Sequence, residues 1–431
     1  MKNKNLLIKK NHQNEKTKGI TLIALVVTIV VLLILAGITI NLVFSENGII
    51  KKAQDAAEAQ KQAEESDRQA LENLADQLDD VIGAPKELQK IMSKLPLTTN
   101  QKAVDSYGNK ITIPAGFTIV ADGTDNVVYS YDKKDGTSTK IPVVQDGIVI
   151  KNATDGNEFV WVPVGTIKND AVENTTNTTT IKLGRYSSFT VTAGVLPTPA
   201  QEATTSSYNT PVAINSYYYE VSNSFTGTLL SKTGENKPAN EYGNTKAYNL
   251  QEWISTTLAN GGYYIARYEA SRNETDATKA ASLPSKTVWG DITQPAAATA
   301  AKATYSAETG ANKDKYYSDL INSYAWDTAI VFIEAYADSN YAEDNNSTSF
   351  TTTGGNGDQV CNINDMSGNV WEWTTETSTY SGSVNDYPCA GRGGYYSTGD
   401  GRGYYYTSLR NNSSTGLSSS TLSFRATLCV K

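Results

Sequence analysis

One histidine, His12, stands in the chain's basic first 18 residues, and none follows it. That absence removes histidine metal sites and Ser-His or Cys-His catalysis from the remainder. Cysteine is almost as scarce: Cys361, Cys389 and Cys429 are too few for a disulfide scaffold. Pairing of Cys361 with Cys389 and a fully reduced set both remain open. There is no P-loop, and no G-x-G-x-x-G stands at a strand-to-helix turn. Basic residues are outnumbered, 37 against 45. The first 18 residues hold six Lys and one Glu, so the remainder has 31 basic and 44 acidic residues, a balance of -13. An acidic exterior excludes nucleic acid as a partner, because phosphate binding needs dense Lys and Arg.

What is present begins with a run of 25 uncharged residues, Ile20 to Phe44. At 1.5 Å per residue this predicts a transmembrane helix across roughly 30 Å of hydrocarbon. The lysines before it predict that the N-terminus stays inside and the rest is exported. The Ala, Gln, Glu and Lys mixture over 45–84 predicts a helical stalk, with Leu71, Leu74, Leu78 and Val81 on one face. Gly83 and Pro85 end it. Alternating runs over 85–155 predict a short β-rich connecting segment. All six Trp lie beyond residue 160, which places the largest core in 156–431. The low-complexity runs at 174–180 and 297–304 read as surface loops.

The phrase KGITLIALVVTIVVLLILAG resembles the start of type IV prepilins and pseudopilins. That resemblance implies a basic leader, 1–19, cut after Gly19 by a prepilin peptidase to expose Ile20, and other pilins as partners in a surface filament. The family's Glu at the fifth mature position is here Ala24, which weakens the filament expectation. Six phrases further on, EFVWVPVG, GGYYIARYEAS, SYAWDTAIVF, NDMSGNVWEWTTE, RGGYY and SFRA, together resemble the formylglycine-generating enzyme (sulfatase-modifying factor) family, related in fold to C-type lectins. The fold class expected is therefore α+β: an N-terminal transmembrane helix (20–44), a helical stalk (45–84), the β-rich segment (85–155) and a C-type lectin-like domain (156–431).

The resemblance also bears on chemistry. The family's copper cysteines follow RGG, where this chain has Thr398 and Gly403, so neither copper nor the oxidase activity is expected and the domain reads as catalytically silent. A structural Ca2+ is implied on Asp365, the carbonyls of Gly368 and Val370, and Glu372, all hard oxygen donors. The alternative for these residues is structural, with Asp365 in a turn and Glu372 paired to an arginine; Arg392 and Arg425 are the candidates for buried ion pairs. The last segment interleaves Tyr395, Tyr396, Tyr404, Tyr405 and Tyr406 with Thr398, Asp400, Arg410, Asn411 and Asn412. That is the composition of a binding face, in which Tyr gives area at low entropy cost and Asn gives adaptable hydrogen bonds. C-type lectin-like proteins diversified by retroelements vary in this stretch. The expected function is display of a domain that binds an extracellular protein or glycan, held in the cytoplasmic membrane by a single pass.

Overall fold

The computed structural model describes residues 22–44, 56–58, 60–61, 63, 67, 88–92, 94–120, 142–343, 349–355, 357–380, 384–396 and 406–431. The chain divides into two units, Met1–Ile82 and Gly83–Lys431. In the first, helix α1 covers Leu22–Phe44, and the side chains described on it are those of residues 23–35, all exposed. Among the described residues no helix is long and apolar enough to cross a membrane. This corrects the expectation of a single-pass membrane protein with its C-terminal domain outside. The processing residues Gly19 and Ile20 and the leucine face at 71–81 lie outside the described residues, as does most of the stalk.

The fold class is corrected as well: the structure is mainly β-sheet with few helices, rather than a long N-terminal helix leading into a mixed domain. In the second unit the chief strands, in chain order, are β1 Phe117–Ile119, β2 Val149–Asn152, β3 Glu158–Pro163, β4 Tyr218–Tyr219, β5 Gly262–Ala266, β6 Tyr316–Leu320, β7 Trp371–Ser378, β8 Cys389–Arg392, β9 Arg410–Ser413, β10 Leu422–Phe424 and β11 Ala426–Val430. Six form an antiparallel sheet in the order β6-β11-β5-β3-β2-β1, and a second sheet runs β4-β7-β8-β9, with β10 parallel to β7. β1 and β2 share the sheet and core of β3.

Aromatic and β-branched residues make these strands. Trp161 on β3 and Tyr264 on β5 pack edge-on with ring centroids 4.9 Å apart. Burying a ring of this kind contributes about 1.5–3 kcal/mol. A second core gathers Trp289, Trp371, Trp373 and Phe424. Three helices cover the sheets: α2 Leu250–Asn260, α3 Gln294–Thr304 and α4 Ser323–Tyr336. Helix α3 holds the 297–304 run expected as a loop. Pro295 fits its first turn. Ala297, Ala298, Ala300 and Ala301 are buried, and the Ser318 hydroxyl of β6 reaches the Ala301 carbonyl at 2.6 Å. Side chains this small let the helix backbone approach the sheet, a role that composition alone hides. In the other low-complexity run, Thr178–Ile181 pairs as a strand with Gly165–Lys168.

Candidate functional site

Helix α4 starts where the Asn322 side chain accepts a hydrogen bond from the Ala325 N–H at 2.9 Å. It is buried almost throughout and carries only two charged residues, Asp327 and Glu334. Seven residues apart, they lie on one side of the helix, two turns from each other.

Asp327 is the hub of a buried ion network. It accepts from Arg392 Nη2 at 2.7 Å, from Arg410 Nη2, and from the Tyr186 N–H at 2.8 Å. Glu376 of β7 is bound by Arg185 Nη2 at 2.5 Å and Arg410 Nε at 3.0 Å, and Arg392 Nη1 lies 3.7 Å away. Burial raises the Glu376 carboxyl, but Arg410, Arg185 and Arg392 together overrule it and bring it to about 2. Glu220 adjoins the network, accepting from the Ser323 N–H at 2.7 Å and the Thr375 hydroxyl at 2.7 Å. Burial pushes its carboxyl up to about 7.

The register of β8 with β9 sets Arg392 directly opposite Arg410. Like charges facing each other across a ladder repel. Asp327 binds both, so the pair becomes a clamp. The chain between them, residues 393–409, thus leaves and returns at one fixed point. Further ties hold each end. The Gly393 carbonyl accepts from the Gly368 N–H at 2.8 Å, and the Tyr396 N–H donates to the Asn369 carbonyl at 2.8 Å. Trp326 Nε1 donates to the Thr407 carbonyl at 3.1 Å. Gly393 has φ +90°, and a Cβ there would stand 2.8 Å from the Met366 carbonyl oxygen, so only glycine fits.

Of the residues expected to bind a ligand, Tyr406 and Asn411 are exposed, while Tyr395, Tyr396 and Asn412 are half-buried. Tyr396 lies against exposed Phe350, with centroids 5.6 Å apart. Arg410 is corrected from surface contact to clamp: it is buried, with its guanidinium engaged by Glu376 and Asp327. Thr398, Asp400, Tyr404 and Tyr405 fall outside the described residues, as does Gly403.

The expected calcium residues sit in a second buried cluster. Glu372 is held by Arg425 through both oxygens, at 2.5 and 2.7 Å. Asp358 accepts from the N–H groups of Asp365 and Ser367 at 2.8 and 3.1 Å. Glu269 accepts from Asn369 Nδ2 at 2.5 Å and from the Val370 N–H at 3.2 Å. Asp365, at φ +61°, accepts from the Gly354 N–H at 2.6 Å through Oδ2, while its Oδ1 has no partner. Burial first, and then Asp358, push the Asp365 carboxyl up to about 8. Burial also raises Glu269, Asp358 and Glu372. Both oxygens of Glu372 are engaged by Arg425, so the expected ligand set does not gather. Among the described residues no group of three His, Cys, Asp or Glu side chains is placed to hold a metal.

Cys361, Cys389 and Cys429 are free thiols. Burial pushes Cys389 and Cys429 up to about 12, and their strands belong to different sheets.

Asp327, Glu376, Arg185 and Glu334 are important residues that the sequence reading passed over. The available signal was two acids seven residues apart in a helix otherwise made of Trp, Ile, Val, Phe, Tyr and small residues.

No family model matches the chain, and no curated protein is similar to it. Weak likeness to solved structures includes two examples. One is CarF, 16% identical over 39% of this chain and 87% of that one, with a TM-score of 0.28. The other is Treponema denticola variable protein 1, 13% identical over 64% of this chain and 96% of that one, with a TM-score of 0.21. At these scores neither likeness carries an argument.

Proposed function

We propose that the Gly83–Lys431 unit is a catalytically silent recognition module of C-type lectin-like type that binds a protein or glycan through the segment between Arg392 and Arg410. The observation that supports this reading is the clamp. Two arginines at facing positions of β8 and β9 converge on one buried aspartate; the chain between them carries half-buried Tyr395 and Tyr396 and exposed Tyr406, and exposed Asn411 follows directly after it. A segment rooted at two fixed ends on a packed sheet loses less entropy on binding than a free loop. Tyr and Asn side chains add contact area and adaptable hydrogen bonds. The arginines supply position, and Tyr395, Tyr396, Tyr406 and Asn411 supply contact.

Calcium belongs to this proposal as a structural ion beside Asp365. The unpartnered Oδ1 and the surplus of carboxylates over Arg425 support it. The engagement of Glu372 by Arg425 leaves that residue out of any such ligand set.

The test is a glycan and protein array screened with the intact chain, beside a Tyr406→Ala/Asn411→Ala variant. Both substitutions lie at exposed positions. Binding of one ligand class that the variant weakens about tenfold, or about 1.4 kcal/mol, is the expected result. Equal binding by the variant would remove these residues from the face.

A further inference from the structure

Asp327 and Glu334 share one side of α4, yet their surroundings are opposite. Asp327 meets two arginines. Glu334 meets one backbone donor, the Ala342 N–H at 3.2 Å, and its Oε2 has no hydrogen-bond partner although the residue is only 6% exposed. An unpaired acceptor in a buried position costs about 1–3 kcal/mol. Burial pushes its carboxyl up to about 8, and the neighbouring Asp338 and Glu343 add to the rise.

Glu334 lines a cleft of about 360 Å³ together with Phe189, Asn215, Glu343, Leu409 and Arg410, among others. That volume is within the range of small-ligand sites. The one cation lining it among the described residues, Arg410, is already neutralised by Glu376 and Asp327. The cleft therefore combines an unpartnered carboxyl, which a cation beside it would hold ionised, a second acid in Glu343, and an apolar wall of Phe189, Val191 and Leu409. Anionic depth with an apolar wall complements a cationic head on a methylene stem.

We infer that this cleft is a binding site for an alkylammonium group, such as a lysine side chain or a linear polyamine, with Glu334 as its counter-ion. The entering ammonium gives Oε2 the donor it lacks, and its stem packs along Phe189 and Leu409. This goes beyond the recognition reading and does not depend on it: Ser408 and Leu409 at the root of that segment line the cleft, but none of its tyrosines does.

Isothermal titration of the full chain with Nα-acetyl-lysine amide, with cadaverine and with the uncharged Nα-acetyl-norleucine amide tests the assignment. The two ammonium probes should bind, and the tighter of them identifies the source. The norleucine analogue should bind at least about tenfold more weakly. Glu334→Gln keeps the shape and removes the charge, and should weaken the lysine probe by a similar factor while the melting temperature holds or rises. Should that variant fail to fold, Glu343→Gln and the norleucine comparison on the native chain carry the test. Equal binding of the lysine and norleucine probes, or no binding of either ammonium probe at millimolar concentration, would overturn the site. The probes carry neither a glycan nor a protein epitope, so their failure leaves the recognition reading standing.

Discussion

Two ion clusters are buried in the same unit, and they solve the cost of charge differently. Around Asp327 and Glu376, three arginines meet two carboxylates, with Glu220 alongside. Around Glu269, Asp358, Asp365 and Glu372, four carboxylates share Arg425. In the first, opposite charge outweighs desolvation and Glu376 is brought to about 2. In the second, desolvation and mutual repulsion win, and Asp365 rises to about 8. The lesson is that buried carboxylates of similar exposure have opposite protonation states, and the local count of arginines decides which. The first cluster is a charged clamp. The second is held by protons, or by an added cation.

The largest expected effect breaks the clamp. Asp327→Ala removes the partner of both Arg392 and Arg410 and leaves two uncompensated guanidinium groups, which should cost about 3–5 kcal/mol in chemical denaturation. Loss of less than about 1 kcal/mol would mean that the arginines find other partners and the clamp is not a structural unit.

The next effect sharpens the contrast through pH. Asp365 keeps its proton in the fold up to about 8, whereas the unfolded chain releases it near the ordinary 3.8. Its contribution to stability is whole below that lower value and is lost as pH rises through 8. Glu376 runs the other way: its contribution is whole above the ordinary 4.5 and is lost as pH falls towards 2. Unfolding followed from pH 2 to 9 should therefore show losses at both ends. Asp365→Asn should reduce the alkaline loss, by about 1–3 kcal/mol at pH 9, and leave the acid loss unchanged. An unchanged alkaline limb in that variant would show that Asp365 is not the group that holds the proton.

A smaller effect distinguishes protons from a cation in the second cluster. If calcium neutralises it, millimolar Ca2+ should raise the melting temperature of the native chain by a few degrees, about 1 kcal/mol for each 2–4 °C or so in a unit of this size, and leave Asp365→Asn unmoved. Equal melting with Ca2+ or chelator would leave protons as the neutralising species. The smallest effect is at the surface. Tyr406→Ala, with its side chain exposed and outside both clusters, should change stability by less than about 0.5 kcal/mol.

The fold class was not legible in the sequence, but parts of the core were. The Trp positions pointed to a C-terminal core, and Arg392 and Arg425 showed themselves as candidates for buried ion pairs, standing among Ala, Gly, Phe and Leu with few other charges near them in sequence. Their partners were not legible. Asp327 lies 65 residues from Arg392 and meets it only through the tertiary fold, Arg392 Nη2 donating to Asp327 at 2.7 Å. The alanine run at 297–304 was misread because alanine and threonine carry no amphipathic period, whereas in the fold that run packs closely on β6. The stretch from Ile20 to Phe44, read from hydropathy as a membrane span, is helical over Leu22–Phe44, but among the described residues no helix is long and apolar enough to cross a membrane. The binding face was legible as composition only. Its geometry depends on the register that sets Arg392 opposite Arg410, and no local pattern records a register across 18 residues.

The most direct test of the account is the affinity of the full chain for the ligand found by array screening, measured for the native chain and for Tyr395→Ala/Tyr396→Ala/Tyr406→Ala at a temperature where both are folded. The account predicts a loss of at least about tenfold with the triple substitution. Unchanged affinity in the folded triple variant would contradict it and place recognition elsewhere in the molecule.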